Sequence, residues 1–170
     1  NIAADDHAAT FSATPSIESL RVLLSLAMSL DDSLAENLDL VILFLDISRA
    51  HPHCDVEREI YIKLPKEAGY TAEYIGLLLK CLYGTRAAGQ RFEFQVKGCM
   101  ESDLESQQGA FSPCIYYNKH RHERTWIHGD DFAVLIPRSG VAQFVELLSK
   151  QLLVKVRARL GPRQYGQDPD

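Results

Sequence analysis

The sequence predicts an α+β domain in which helices cover one face of an antiparallel sheet. Three observations carry that expectation. The run Leu40-Val41-Ile42-Leu43-Phe44-Leu45-Asp46-Ile47 is almost wholly apolar and rich in β-branched and aromatic residues, as a fully buried strand is. In Trp126–Ile136 two apolar runs flank Gly129-Asp130-Asp131, which reads as strand, tight turn, strand, because Gly and Asp tolerate hairpin backbone angles. Helical periodicity falls between these strands and again after them. The resulting order is nearest to the split βαβ pattern of ferredoxin-like folds.

The chain has 170 residues, 46% of them hydrophobic, which suffices for one domain or a piece of a larger one. Its net charge of −5 argues against a self-sufficient nucleic-acid binder, whose phosphate contacts come from Lys and Arg. Cys54, Cys81, Cys99 and Cys114 are far apart and form no C-x-x-C pair, so reduced, intracellular thiols are expected. No stretch is long and apolar enough to span a bilayer, and no membrane partner is expected. The start at Asn1 and the polar segment 159–170 read as ends cut from something longer.

Residues 1–13 are small and polar and are expected to be irregular. A helix follows, with Thr14 as cap, Pro15 at the first helical position and Glu18 in the first turn, near the positive end of the helix dipole. Ile17, Leu20, Leu24, Ala27 and Met28 form its inward stripe, and Arg21 lies off that stripe, solvated or ion-paired. Asp31-Asp32-Ser33 reads as a loop before the buried strand at 38–47. Pro52 then interrupts regular structure. Glu59–Leu64 alternates with period two, a half-buried strand ended by Pro65. Residues 71–82 fit a short helix better than a strand. The turn Leu82–Gly89 leads into a helix at 89–104, with Phe92, Val96, Cys99 and Met100 on one side. A strand at Pro113–Tyr117, a charged turn at Asn118–Arg124 and the acidic hairpin come next. The last elements are a helix at 139–153, with Val141, Phe144, Leu148 and Leu152 inward, and a strand opening at Val154.

The chemistry concentrates in three acids. Asp130 and Asp131 are adjacent at a hairpin tip, where like charges repel and raise one another's pKa. Asp46 emerges at the end of a buried strand, poorly hydrated. In an antiparallel sheet a strand end and a neighbouring hairpin tip can lie side by side. Three carboxylates converging there on hard cations would form a two-metal phosphoryl-transfer site. The plainer alternative is a solvated turn and an unremarkable strand terminus.

Four segments, in order, resemble the reverse transcriptase of copia-type LTR retrotransposons. They are Ala13–Arg21; Leu45–His51 with Glu59–Pro65; Lys80-Cys81-Leu82-Tyr83-Gly84-Thr85-Arg86-Ala87-Ala88-Gly89-Gln90-Arg91-Phe92, which looks like the family's K-S-L-Y-G-L-K-Q-A-P-R-x-W; and Phe111–Tyr117 with Ile127-His128-Gly129-Asp130-Asp131. The resemblance covers roughly residues 10–160. It implies a polymerase palm with part of the fingers at 14–158. It also implies RNA-directed DNA polymerase chemistry, in which a primer 3′-hydroxyl attacks the α-phosphate of a deoxynucleoside triphosphate. Asp46, Asp130 and Asp131 match the family's catalytic, metal-binding acids, with the backbone of Ile47 beside them. Two Mg²⁺ ions are implied, for which Mn²⁺ can substitute. Asp46 and Asp130 are the expected direct ligands of both ions, with Asp131 alongside.

The same resemblance places Ile47, Ser48, Arg49, Ala50 and His51 against the incoming triphosphate. Tyr83 and Gly84 would border nucleotide and template, and Arg86 is either a phosphate contact or a surface charge. His51 stands where the family carries Phe or Tyr to exclude a ribose 2′-hydroxyl, which leaves sugar selection open. Gly89 replaces a family proline, and His128-Gly129 replaces a hydrophobic or aromatic pair. Expected partners are a primed RNA or DNA template, dNTP and the rest of a Pol polyprotein: the basic fingers strand before Thr10, and the thumb and RNase H domain beyond Asp170. Without those parts the fragment is expected to be inactive. The implied setting is intracellular, a cytoplasmic virus-like particle or the nucleus. A rival reading is a degenerate element remnant that keeps the fold without catalysis.

Other signals are weaker. His51-Pro52-His53-Cys54 and His120-Arg121-His122 lack the paired spacing of structural zinc motifs. Cys114 with His128 suggests a nucleophile pair, but Cys114 reads better as a small core residue. Of Tyr116 and Tyr117, adjacent on a strand, at most one can face nucleic acid.

Overall fold

The computed structural model describes residues 12–29, 39–71, 73–85 and 87–161. The segment before Ser12, the expected loop at Asp31–Ser33, Arg86 and the tail after Gly161 lie outside them. Helix α1 spans Ile17–Ser29 and strand β1 Leu40–Ser48. Strands β2 (Tyr61–Lys63) and β3 (Ile75–Leu77) form a separate two-stranded sheet. Helix α2 (Ala88–Gly98) runs on into a wider π turn at Cys99–Asp103. Then come β4 (Gln107–Gln108), β5 (Ile115–Asn118), β6 (Glu123–His128), β7 (Asp131–Pro137), α3 (Val141–Ser149) and β8 (Leu153–Leu160).

The main sheet has six strands in the order β4-β5-β6-β7-β1-β8, all antiparallel. Within it β8-β1-β7-β6, connected through α2 and α3, is the expected split βαβ order. Alternation sorts β1 between two cores. Val41, Leu43, Leu45 and Ile47 join Phe132, Val134 and Ile136 of β7 under Phe92 and Val96 of α2 and Phe144 and Leu148 of α3. Ile42, with Ala133 and Leu135, faces Leu23 of α1 and Trp126. The two helices that follow β1 therefore cover one face, as expected, while α1 packs on the other.

Several local expectations are corrected. The α1 cap is Ser16, not Thr14: its hydroxyl accepts the Ser19 N–H at 3.3 Å, so the helix begins after Pro15 rather than with it. The inward stripe centres on Leu23 with Leu20, Leu24 and Ala27. Ile17 and Met28, expected inside, are 52% and 86% exposed. Arg21 is exposed beside Glu18 at 3.9 Å. The stretch expected as a helix in 71–82 is strand β3, because its Ile75-Gly76-Leu77 pairs with Tyr61-Ile62-Lys63. A Cβ at Gly76 would sit 2.8 Å from Leu64 Cδ2, so a side chain there would push the end of that leucine aside. On β5 Tyr116 is buried and Tyr117 faces out, under the Arg124 guanidinium at 5.0 Å.

Candidate active site

The acidic hairpin forms as a two-residue turn. Gly129 has φ +60°, the left-handed angle that glycine adopts without strain, and hands the chain to Asp130. The Ile47 N–H donates to the Asp130 carbonyl at 2.8 Å. That bond ties the end of β1 to the tip of the hairpin. It also makes the next pair inward, Asp46 and Asp131, a non-hydrogen-bonded pair, the kind whose side chains lie closer together. The strand-end acid and one hairpin acid are thus directly opposed on one face.

The register extends the pair into a row. Lys155 on β8 is opposite Asp46, and His128 on β6 is opposite Asp131. Lys155, Asp46, Asp131 and His128 cross four strands in a line, on the face that carries α1. A bulge between Phe44 and Leu45 leaves Arg157 as the extra residue of β8. Bulges re-aim side chains, and here Arg157 Nη2 comes within 3.1 Å of Asp46 Oδ2. Ser48 Oγ lies 3.5 Å from the same oxygen, at the limit of a hydrogen bond.

Asp130 is placed differently. It borders a cavity of about 250 Å³ on the α2 side of the sheet, together with Ser12, His51, Tyr83, Phe92 and Glu93. Glu93 Oε2 holds the N-terminal segment over this cavity by accepting from the Ala13 N–H at 3.0 Å and from Ser12 Oγ at 3.3 Å. The rings of His51 and Tyr83 are 4.3 Å apart, and Phe92 meets His51 edge-on at 6.4 Å. His51 Nδ1 is buried and has no hydrogen-bond partner among the described residues. Such an atom costs stability unless something donates to it or accepts from it.

The other expected site residues line the approach. Arg49 takes a left-handed φ of 56° and is exposed, while Ala50 is buried beneath the cavity. Tyr83 is largely exposed and Gly84 turns at φ +84°. His53 Nε2 is engaged by the Ser48 carbonyl at 3.1 Å. Cys114 is buried.

The structure therefore sets Asp46 against Asp131 and not, as expected, against Asp130, because the register opposes residues 46 and 131 and leaves Asp130 on the turn. Among the described residues no three His, Cys, Asp or Glu side chains converge at metal-ligand spacing. The donors are hard carboxylate oxygens, which suit Mg²⁺ or Mn²⁺. Asp46 and Asp131 oppose one another on the α1 side of the sheet, whereas Asp130 borders the cavity on the α2 side. Lys155 and Arg157 were not singled out from the sequence. The signal was there in Val154-Lys155-Val156-Arg157, whose alternation sends both cations to the same side of a strand, but nothing local said which strand they would lie beside.

Over 160 residues the chain is 29% identical to the retrovirus-related Pol polyprotein from transposon TNT 1-94 of Nicotiana tabacum. The alignment covers 91% of this chain and 11% of that protein, so the chain spans about a tenth of its relative's length. No family model matches the chain, and no solved structure matches it. The match supports a retrotransposon Pol origin. No described helix is long and apolar enough to cross a membrane.

Proposed function

We propose that this chain is the palm, with part of the fingers, of an RNA-directed DNA polymerase encoded by a copia-type retrotransposon. The observation that carries the reading is the direct opposition of Asp46 and Asp131 at the end of a split βαβ sheet, with Asp130 on the adjoining turn. Asp46, Asp131 and Asp130 would hold two Mg²⁺ ions, with the Ile47 backbone beside them. When bound, the ions activate a primer hydroxyl and neutralise charge on the triphosphate and its leaving group.

The chain's own residues do the positioning. His51 and Tyr83 wall the cavity that Asp130 borders, where a nucleotide's base and sugar would lie, and His51 Nδ1 offers its unpartnered nitrogen to the sugar. Ser48, Arg49 and Ala50 lead from Asp46 to that wall, with Arg49 exposed towards phosphate. Gly84 beside Tyr83 lets a template backbone approach closely. A primed template, dNTP and the remaining Pol segments are the partners of this reading, and an intracellular particle or the nucleus its setting.

A second reading has one observation in its favour. Arg157 already neutralises Asp46, as a catalytically dead remnant that no longer holds metal would tolerate. Two measurements separate the readings. Mn²⁺ titration followed by the loss of the free-ion paramagnetic signal tests the site itself. Binding should weaken roughly tenfold or more in Asp46→Asn and Asp131→Asn, since even outer-shell losses have effects of that size. No binding at millimolar Mn²⁺ would sink the metal reading. Primer extension by a Pol protein containing this chain, abolished by Asp130→Asn, would exclude the remnant.

A further inference from the structure

Cys54 and Cys81 face each other across a short ladder that belongs to neither sheet. Asp55 bridges Lys80 in antiparallel sense. The Val56 N–H donates to the Leu79 carbonyl at 3.3 Å, and the Cys81 N–H to the Cys54 carbonyl at 2.9 Å. These two bonds flank the Asp55–Lys80 pair. The same register puts Cys54 opposite Cys81 as a hydrogen-bonded type of pair, whose Cα atoms lie about 5.5 Å apart. That separation falls within the ~4.4–6.8 Å that a disulfide spans. Directly opposed side chains leave a ladder on the same side, and both cysteines join one core cluster at 3% exposure each. The Cys81 thiol donates to the Asp55 carbonyl at 3.5 Å, so it is held at the ladder.

The position of the pair gives it a consequence. The chain between the two cysteines is the excursion that carries β2 and β3, and the pair stands at its neck. Cys54 follows His51 by one turn, and Cys81 shortly precedes Tyr83. Those two rings form one wall of the cavity beside Asp130.

We propose that Cys54 and Cys81 are a thiol–disulfide pair that closes in the presence of a small-molecule disulfide such as oxidised glutathione and locks the His51–Tyr83 wall. One cysteine thiolate attacks a sulfur of the oxidant and expels one glutathione thiolate. The second cysteine thiolate then attacks the mixed disulfide at the protein sulfur and expels the other. The oxidant's S–S bond breaks and the protein's forms. Two electrons pass to the oxidant, and the two cysteine protons end on the released thiols. Burial pushes the Cys54 thiol up to about 11 and raises that of Cys81, so closure is slow. Lys80 and Arg91 act in the opposite direction on both thiols. The proposal does not depend on the polymerase reading.

The test uses the full chain, incubated for hours with oxidised glutathione, denatured, alkylated and digested. Peptide mass mapping should join the Cys54 and Cys81 peptides with the loss of two hydrogens, and leave Cys99 and Cys114 alkylated. Cys54 and Cys81 both alkylated at every oxidant concentration, a persistent glutathione adduct on either, or pairing with Cys99 instead would overturn the pair. Amide hydrogen exchange tests the lock. Exchange across residues 79–85 should slow by about tenfold in the oxidised protein and recover on reduction, as a local opening made costlier does. Unchanged exchange in a protein whose bond has formed would overturn the lock.

Discussion

Arg157 on β8 and Asp46 on β1 form an ion pair of 3.1 Å that exists because one bulged residue redirects the arginine. The pair stands where a divalent cation would compete for the same carboxylate oxygen. Arg157→Ala should cost under ~1 kcal/mol, because the arginine is well exposed and such pairs are weak. The same variant should bind Mn²⁺ several-fold more tightly. Melting curves with and without Mn²⁺ measure both effects. Unchanged Mn²⁺ stabilisation would mean that the arginine and the ion do not compete.

Asp46 and Asp131 are like charges on directly opposed residues. Replacing Asp131 with Asn, which leaves the Arg157–Asp46 pair intact, should stabilise the metal-free protein by a few tenths to about 1 kcal/mol, the usual scale for cross-strand pairs. Chemical denaturation without divalent ions reads this out. A loss of stability in Asp131→Asn would show that Lys155 and Arg157 already more than compensate the repulsion.

Glu123 is 2% exposed, and burial raises its carboxyl from 4.5 to about 7, partly opposed by Arg121, whose Nε lies 3.3 Å from Oε2. The folded protein therefore keeps a proton that the unfolded chain has already released. Stability from this group is full below pH ~4.5 and is lost as pH rises through about 7. Glu123→Gln should flatten that slope and recover on the order of 1–2 kcal/mol at pH 8 relative to the native chain. Urea midpoints at several pH values between 5 and 8 would show it, and parallel curves for the two proteins would contradict it.

Trp126 Nε1 donates to Ser19 Oγ at 2.9 Å and pins α1 to the sheet. Ser19→Ala leaves a half-buried indole N–H without that acceptor and should cost about 1 kcal/mol. Because Trp126 is the single tryptophan, its emission reports on this contact without a second indole. A red shift is expected, and an unshifted spectrum would mean that α1 stays docked without the bond.

His51→Phe replaces a buried, unpartnered nitrogen with carbon in a wall already built from Tyr83 and Phe92. It should raise stability by roughly 1 kcal/mol, the desolvation cost removed. Thermal melts give the sign directly. A destabilised variant would mean that the nitrogen has a partner in solution.

Strands β1, β6 and β7 were legible because burial on both faces writes a plain signal, as in Val41–Leu45, and because Gly129-Asp130 punctuates the hairpin, whereas the two glutamines of β4 carry no such signal. The helix faces of α2 and α3 were equally plain, since Phe92, Val96, Phe144 and Leu148 keep strict spacing. The stripe on α1 was not. Its sequence is apolar nearly all round, so periodicity alone cannot choose Leu23 over Ile17. Strand β3 was misread because Ile75-Gly76-Leu77 is stabilised by pairing with residues some fourteen positions away, which no local pattern records. The acids of the site were readable as residue types with an expected meeting place. That Asp46 would face Asp131 is a matter of the β1–β7 register, and that Lys155 would lie opposite depends on the bulge in β8.

The sheet order sets β1 beside β8, so the row from Lys155 through Asp46 and Asp131 to His128 joins positions from 46 to 155 of the chain. Contacts so distant in sequence form late. During synthesis, at ~5–20 residues per second, Asp131 emerges before Lys155 and Arg157 by roughly one to five seconds. Through that interval the nascent sheet holds two facing carboxylates with no counter-charge, and its last strand position is open to any other extended segment. A ribosome that stalls in this window leaves a chain with Asp46 facing Asp131 and its sheet unclosed, the form most exposed to aggregation and degradation.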